Sequence, residues 1–394
     1  MGEMTVAHAV FQLGPLAVEL AGRSDLVRAL AEELNAPQIG QGSAAPDLRL
    51  RFGLDAAAPD ERPTVEVAHR SRFPFTHVAE ASTGMLAYAL RPKAGTPLYR
   101  VGLPLPFNPP DRWDVSVEVA VPGPRVRRLL DAPARLLSRD YSPLMAVLAK
   151  NIIDEIIDPL VWLRLLLRDG VLAHGGAVVA PGGRGILLLG AGGTGKTRTG
   201  LHLVAESGWR FLGDDRTALF DGCLHRHPKR LRASASHLAA VVAGERTLLA
   251  PRPLADRATW AARKAVLGPA KVGRRIPPDE LFGPSGVADI APLGAVFLLR
   301  AVAEGSGPQV RPIAAEQLSQ RAASMVCNQF WDALRSFSLL SAGSAATVPS
   351  LADLHAQTAA AFTANVTGVP LRVISVPPRT PWRTVAQAVV AEVG

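Results

Sequence analysis

Residues 185–197 read GILLLGAGGTGKT, an apolar run that ends in a glycine-rich loop followed by a lysine and a threonine. The apolar run has the length of a β-strand, and apolar residues recur at helical spacing after the loop, so we expect a strand, a tight loop and a helix in succession. The loop matches the spacing G-x-x-x-x-G-K-(S/T). The matching residues are Gly190, Gly195, Lys196 and Thr197.

This loop has the composition of a polyphosphate site. Glycines leave backbone N–H groups bare, so several of them can approach a multiply charged anion at the start of a helix. Lys196 is then predicted to contact the β- and γ-phosphates, and Thr197 to ligate Mg²⁺. The alternative is a glycine-rich turn without a ligand. The residues predicted to bind the nucleotide are Gly190, Ala191, Gly192, Gly193, Thr194, Gly195, Lys196, Thr197 and Arg198.

Length and charge limit the classes of protein to which the chain can belong. Its 394 residues predict two or three domains, and 48% apolar residues support sizeable cores. The net charge of +9 comes from 43 basic and 34 acidic residues spread along the chain. ATP could be the only polyanionic partner that so modest an excess of positive charge calls for. The basic stretch within 225–285 lacks interleaved aromatic residues, so we expect no nucleic-acid partner and interpret it as a solvated, mobile loop or a substrate lid.

The chain carries no targeting pattern. Its first residues, MGEMTVAHAV, contain an acid where a signal peptide needs basic residues, and no apolar run reaches the roughly 20 residues of a membrane span. The only two cysteines, Cys223 and Cys327, lie far apart and lack metal-ligand spacing, which favours reduced thiols. We therefore expect a soluble, cytoplasmic protein with no membrane partner.

Residues 1–140 are predicted to form an α+β domain. A strand pair turns at Gly14, Ser24 is placed to cap a helix, and further strands are predicted at 47–52, 64–68 and 115–121. No pattern of residues with catalytic spacing occurs here, so we expect this domain to recognise the acceptor or to form a dimer. Assembly of the protein into a homo-oligomer is therefore one of the open alternatives. The proline-rich stretch 97–110 is interpreted as an irregular binding loop or connector.

Residues 141–394 are predicted to form the nucleotide-binding domain. It begins with a helical bridge, 142–169, that Pro159 kinks or divides. A β-hairpin is expected before the loop, with strands at 177–180 and 186–189. The helix after the loop should end at Gly208, followed by a short strand and an acidic pair. Because ligands lie beyond the carboxyl ends of strands in open α/β sheets, this pair, Asp214 and Asp215, should face the bound phosphates.

Three segments in this order resemble the HPr kinase/phosphorylase family and its related peptide kinases. They read HGGAVV at 174–179, GAGGTGKT at 190–197 and FLGDD at 211–215. The resemblance spans about residues 140–394, is specific only over 174–215, and implies a PEP-carboxykinase-type nucleotide fold. Arg198 stands where that family has an acid, and the family's C-terminal signature is missing, so HPr itself is not implied as the substrate.

The resemblance also implies roles for individual residues. Asp214 would take the proton from an acceptor hydroxyl, and His174 would lie near it and tune it. Asp215 would support the metal together with Thr197, while Lys196 neutralises the phosphates. A basic residue from 252–275, or Arg300, is expected to stabilise charge in the transition state.

These observations predict an α/β, ATP- and Mg²⁺-dependent kinase that transfers the γ-phosphoryl group to an alcohol. The acceptor is a hydroxyl of a peptide, a protein or a small molecule. Two alternatives remain: a P-loop ATPase that couples hydrolysis to a partner, and a non-catalytic nucleotide-binding module that regulates by association.

Overall fold

The computed structural model describes residues 6–35, 46–52, 76–81, 85–90, 99–104, 113–119, 129, 140, 142–238, 244–331, 333–334 and 349–393. The chain divides into two compact units. Unit 1 comprises residues 1–132, 143–168 and 330–356, and unit 2 comprises residues 133–142, 169–329 and 357–394. The helical segment that starts near residue 143 thus belongs to unit 1, whereas the sequence suggests a boundary at residue 140.

Unit 1 contains a seven-stranded sheet within its described residues. Its strands are β1 (Val6–Leu13), β2 (Leu16–Arg23), β3 (Leu48–Phe52), β4 (Thr76–Ala81), β5 (Met85–Leu90), β6 (Tyr99–Pro104) and β7 (Trp113–Val119). They are arranged in the order β1-β2-β3-β7-β6-β5-β4, and β3 pairs in parallel with both β2 and β7. The predicted hairpin at Gly14 is confirmed, because Gly14 adopts φ +63° between β1 and β2.

Two of the predictions for unit 1 need correction. Strand β6 occupies part of the proline-rich stretch 97–110, which was expected to be irregular; the predicted strand 64–68 lies outside the described residues. Ser24 is the first residue of helix α1 (Ser24–Leu34) rather than its cap, since the N-cap position is held by Arg23. The apolar face of α1 is buried as its four-residue periodicity predicts.

The predicted helical segment is a helix with a π-helical turn in its middle. It consists of α2 (Leu144–Ile152), a π turn (Ile153–Ile157) and α3 (Asp158–Leu166). Pro159 lies in the first turn of α3, where a missing N–H is tolerated, and the widened turn directly before it accommodates the proline ring. The predicted disturbance at Pro159 is therefore confirmed. No helix in the described part of the chain has the length and apolar character needed to cross a membrane.

Unit 2 is built on a second sheet, nine-stranded in the described residues, and a separate two-stranded sheet. The strands of unit 2 are β8 (Val171–Ala173), β9 (Gly175–Val179), β10 (Gly185–Leu189), β11 (Arg210–Gly213), β12 (Thr217–Phe220), β13 (Cys223–Arg226), β14 (Leu231–Ser234), β15 (Gly273–Ile276), β16 (Ile290–Ala301), β17 (Gln309–Pro312) and β18 (Leu371–Val376). The main path runs β11-β9-β10-β16-β13-β12-β8, with β18 also paired to β16 and β17 to β18.

The centre of this sheet explains why its strands read as continuous apolar runs. Every residue of β9 and β10 is buried, so both faces of the sheet need cover. Strands β9 and β10 form the predicted antiparallel hairpin, while β10 and β18 each pair in parallel with β16. The mixed α/β architecture agrees with the predicted α/β class, and the more specific fold type stays a prediction.

The helices of unit 2 pack around this sheet. They are α4 (Lys196–Ser207), α5 (Ala235–Leu238), α6 (Gly244–Leu249), α7 (Leu254–Leu267), α8 (Pro278–Phe282), α9 (Ala315–Gln329), α10 (Leu351–Asn365, which begins in unit 1) and α11 (Trp382–Val393). Helix α4 ends as predicted at Gly208, which adopts the left-handed conformation with φ +67°. One core joins β10, β16 and β18 to α4 and α11.

The interpretation of residues 225–285 as a mobile loop is wrong for the residues that the structure describes, while the alternative of a substrate lid stays a prediction. They form β14, β15 and α5–α8 around the buried Trp260. Glu245 accepts hydrogen bonds from the Trp260 indole at 2.9 Å and from Lys264 at 2.6 Å, and Arg274 donates to Asp256 at 2.6 Å. The basic residues occur as runs in the sequence, yet in the fold several of them pair individually with acids.

Candidate nucleotide-binding site

The glycine-rich loop lies at the carboxyl end of β10, in the position where open α/β sheets bind ligands. Gly190 adopts φ +151°, and a Cβ there would come 2.5 Å from Thr194 Oγ1 and 2.7 Å from the carbonyl oxygen of Leu299. Gly195 adopts φ +88° immediately before α4. Both positions therefore require glycine for backbone reasons. The loop leads directly into the N-terminus of α4, as the sequence predicts.

Lys196 and Thr197 open α4 and turn towards two different partners. Lys196 Nζ donates to the carbonyl oxygens of Gly190 at 2.6 Å and Ala191 at 3.2 Å, so the ammonium closes the loop on itself. Burial lowers the pKa of Lys196, against the opposing charges of the two aspartates. Thr197 Oγ1 donates to Asp214 Oδ1 at 2.8 Å. The structure thus brings the acidic pair after β11 to the glycine-rich loop.

The two neighbouring aspartates lie in different surroundings. Asp214 is partly buried beside Gly176 and Thr197, and burial together with the charge of Asp215 raises its pKa to about 6. Asp215 adopts φ +67°, a left-handed conformation that turns its side chain away from that of Asp214 and leaves it 49% exposed. Its carboxylate lies 3.3 Å from His174 Nδ1.

Two residues that the sequence did not single out complete this cluster. The Arg216 side chain is only 1% exposed, and its Nη1 lies 3.3 Å from Asp215 Oδ2 and 3.4 Å from His174 Nδ1. In the amide orientation that satisfies both neighbours, the Gln329 nitrogen donates to His174 Nδ1 at 3.2 Å. The Gln329 oxygen then accepts from Arg216 Nη2 at 2.8 Å. Arg216 could have been found from the sequence, because it directly follows the acidic pair. No sequence pattern points to Gln329, since it ends α9, more than 100 residues away.

The surroundings of His174 keep its ring neutral near pH 7. Burial is the largest cause, and the charges of Lys196 and Arg216 add to it, so the pKa of His174 falls to about 4 although Asp215 opposes the shift. A neutral ring exposes one nitrogen as an acceptor and one as a donor. His174 therefore carries no charge of its own into the site.

These contacts change the expected division of roles. The resemblance implies that His174 lies near the proton-accepting Asp214 and that Asp215 supports the metal with Thr197. In the structure Thr197 contacts Asp214, whereas His174 contacts Asp215. The structure therefore pairs Thr197 with Asp214 and His174 with Asp215, which differs from the pairing that the resemblance implies. The roles of the two aspartates stay predictions.

The residues at the loop fit a magnesium ion bound together with phosphates. The Thr197 hydroxyl and the Asp214 carboxylate are hard oxygen donors 2.8 Å apart, and Mg²⁺ in phosphate sites typically takes one or two such protein ligands and completes its shell with phosphate oxygens and water. Among the described residues, no cluster of three or more His, Cys, Asp or Glu side chains could hold a metal ion.

The remaining candidates lie further from the loop. Arg198 donates through Nη2 to Ser236 Oγ at 3.1 Å, so its side chain leaves the loop and crosses to α5. Arg300 is exposed near the carboxyl end of β16, the strand beside β10. In the range 252–275, Arg252, Lys264 and Arg274 are engaged by acids of their own subdomain. Among the basic candidates for the transition state, Arg300 lies at the same sheet edge as the loop.

Comparisons with known proteins give a weak result. No family model matches the chain, and no curated protein matches it. Among solved structures it is similar to the HPr(Ser) kinase/phosphatase from Coxiella burnetii, at 14% identity over 36% of this chain and 69% of that chain, with a TM-score of 0.22. A likeness of this size establishes neither a shared fold nor a shared activity.

Proposed function

We propose that the protein is an ATP- and Mg²⁺-dependent phosphotransferase with an alcohol as acceptor. The observation that carries the proposal is the assembly at one sheet edge of a glycine loop, the loop lysine, and a threonine hydrogen-bonded to a carboxylate. A second, more exposed carboxylate stands beside a neutral histidine. A purely structural turn needs none of these groups, and burying three of them costs free energy.

The protein's own residues divide the work as follows. Lys196 leaves the loop carbonyls and contacts the phosphates, and the bare N–H groups of the loop hold them in place. Thr197 and Asp214 hold Mg²⁺, which when bound neutralises charge on the phosphate oxygens. Asp215, the exposed carboxylate, accepts the proton of the acceptor hydroxyl. Arg300 supplies positive charge near the transferred group.

The transfer step balances without a further reactant. The bond between the γ-phosphorus and the bridging oxygen of ADP breaks, and a bond from that phosphorus to the acceptor oxygen forms. The hydroxyl proton passes to the Asp215 carboxylate, and ADP leaves. Arg216, whose Nη1 donates to Asp215 Oδ2 at 3.3 Å and whose Nη2 donates to Gln329, orients the Asp215 carboxylate. His174 does not compete for the proton, because its own pKa lies low.

Acceptor recognition is assigned to unit 1 as part of the same proposal. Phosphoryl transfer needs positioning more than covalent help, so specificity must come from surfaces beyond the phosphate loop. Unit 1 offers a seven-stranded sheet and no phosphate-binding constellation in its described residues. A role in dimer formation is the other assignment that its lack of catalytic spacing supports.

The test combines binding with product analysis. Calorimetric titration of MgATP should show binding to the wild type and little or none to Lys196→Ala. Lys271→Ala, which removes an exposed lysine elsewhere in unit 2, is the matched control and should bind like the wild type. If Lys196→Ala binds MgATP and turns it over like the wild type, the loop is not a phosphate site.

Products then decide between the classes. With ATP labelled in the γ-phosphate, label on a hydroxyl of a peptide or metabolite supports the kinase. Release of labelled phosphate that no acceptor fraction captures indicates an ATPase. Tight binding without turnover in the presence of such fractions indicates a regulatory module.

A further inference from the structure

A tryptophan from the last helix lies directly against the phosphate loop. A Cβ built on Gly195 would come 1.9 Å from Cζ3 and 2.2 Å from Cη2 of Trp382, so the six-membered ring occupies the space that a side chain at position 195 would need. The residue before Lys196 is therefore glycine for two reasons, its φ of +88° and the indole beside it.

The fold brings Trp382 there through strand order. Strands β10, β16 and β18 run parallel, so their carboxyl ends meet at one edge of the sheet. The phosphate loop follows β10, and residues 377–381 lead from β18 to Trp382 at the start of α11. The strands β10 and β18 are separated by β16, which places the two connections about 10 Å apart at their roots. That edge is where open α/β sheets bind their ligands.

The tryptophan is held firmly but is not fully covered. Its neighbour Arg383 donates from Nε and Nη2 to Glu206 of α4 at 2.7 and 2.9 Å, and Val385 and Val389 anchor α11 in the core. The Trp382 side chain itself is only partly buried. Trp382 packs at the edge of that core, so part of the indole stays accessible to a ligand.

A cation accompanies the ring. The guanidinium carbon of Arg198 lies 5.9 Å from the centre of the Trp382 ring, within the range of a cation–π contact, and Arg198 Nη2 is fixed by Ser236 Oγ. Arg198 directly follows Thr197 in the first turn of α4. An indole and a guanidinium thus flank the start of the helix that receives the phosphates.

We propose that Trp382, with Arg198, binds the base of the nucleotide whose phosphates the loop holds; this rests on the proposed function. The loop amides and Lys196 recognise phosphates and give no contact to a base. A base offers a flat π face, which stacks well on an indole and on a guanidinium. The partly exposed indole of Trp382 and the guanidinium beside it supply that surface.

The competing role for Trp382 is to brace Gly195 and so to shape the loop. Inorganic tripolyphosphate separates the two roles, because it carries the phosphates of ATP without base or ribose. A stacking residue affects ATP and leaves tripolyphosphate unchanged. A brace affects both ligands to the same degree.

The experiment is calorimetric titration of the full-length wild type, Trp382→Ala and Trp382→Phe with MgATP and with magnesium tripolyphosphate. We expect Trp382→Ala to weaken ATP binding roughly ten- to hundredfold, as loss of a stacking platform does, and to change tripolyphosphate binding by less than about twofold. Trp382→Phe should retain most of the ATP affinity. Trp331→Ala, which removes a half-exposed tryptophan of unit 1, is the matched control and should change neither.

Equal weakening of both ligands by Trp382→Ala would overturn the proposal in favour of a brace, and unchanged ATP binding would overturn it as well. Tripolyphosphate binding by the variant also proves that its loop is folded. If the wild type binds tripolyphosphate but not ATP, the base site is wrong while the phosphate loop stands. If the wild type binds neither ligand, the proposed function itself fails.

Discussion

The charged residues of the unit 1 sheet and those at the loop edge of unit 2 are used in opposite ways. In unit 1, charges are matched in pairs near the surface. Arg49 Nε donates to Glu19 at 2.6 Å, and Arg51 Nη2 donates to Asp114 at 2.5 Å. Burial disfavours the ionised form of Glu19, yet the hydrogen bond and charge of Arg49 outweigh burial and lower its pKa. The pair with Arg49 thus favours the ionised form of Glu19.

At the loop edge the shifts run towards neutrality. Burial raises the pKa of Asp214 to about 6, lowers that of His174 to about 4, and lowers that of Lys196. Here desolvation is the largest cause of each pKa shift, because three titratable groups and a second carboxylate are crowded into one small region. The number of charged residues in a region therefore does not locate a functional site. Titratable groups whose pKa values are shifted by burial do locate one.

The largest expected effect comes from separating the two aspartates. Asp215→Asn should leave MgATP binding nearly intact and lower phosphoryl transfer by roughly 10² to 10⁴, the range for losing a general base. Asp214→Asn should instead raise the magnesium concentration needed for half-maximal binding, because it removes the carboxylate beside Thr197. Magnesium titrations and single-turnover rates of both variants check this. The opposite pattern would restore the roles implied by the resemblance, and identical behaviour would remove any division between the two.

A smaller effect is expected from the residue that joins His174 to Arg216. Gln329→Leu removes both amide hydrogen bonds, so we expect the free energy of unfolding to fall by about 1 kcal/mol, and transfer to fall about fivefold as the histidine loses its orientation. Gln320→Leu on the exposed face of the same helix is the control. Calorimetric unfolding and initial rates measure the two effects. A stability loss without any change in rate would make Gln329 part of the scaffold only.

The smallest effect should arise in unit 1. Glu19→Gln should lower the free energy of unfolding by about 1 kcal/mol or less at pH 7 and leave ATP binding unchanged. The folded-state pKa of Glu19 is lowered, so its ionised form stabilises the fold above the ordinary pKa of 4.5, and this contribution is lost as the pH falls below that value. The difference from the wild type should therefore shrink on acidification.

Denaturant unfolding at pH 7 and below pH 4 measures that difference, with Glu304→Gln, an exposed acid of unit 2, as the control. A difference that stayed constant across these pH values would mean that the charge of Glu19 contributes nothing. An effect on ATP affinity would break the separation between structural and functional charges.

The features that sequence patterns predicted well are local. The glycine loop, the hairpin of β9 and β10, the left-handed Gly208 and the strand before Asp214 all follow from residues within one or two turns of the chain. The interpretation of 225–285 as a mobile loop failed because basic runs and prolines describe composition, whereas the acids that pair with these bases lie up to 92 residues away along the chain.

By itself, the sequence determined that a glycine-rich loop opens a helix after a buried strand, because the apolar run, the glycines and the helical spacing that follows them are local signals. Tertiary structure alone decided which groups meet that loop. The parallel pairing of β10, β16 and β18 brings Trp382 onto Gly195, and the end of α9 brings Gln329 onto His174. These contacts join residues more than 100 positions apart, and side-chain periodicity carries no record of strand order.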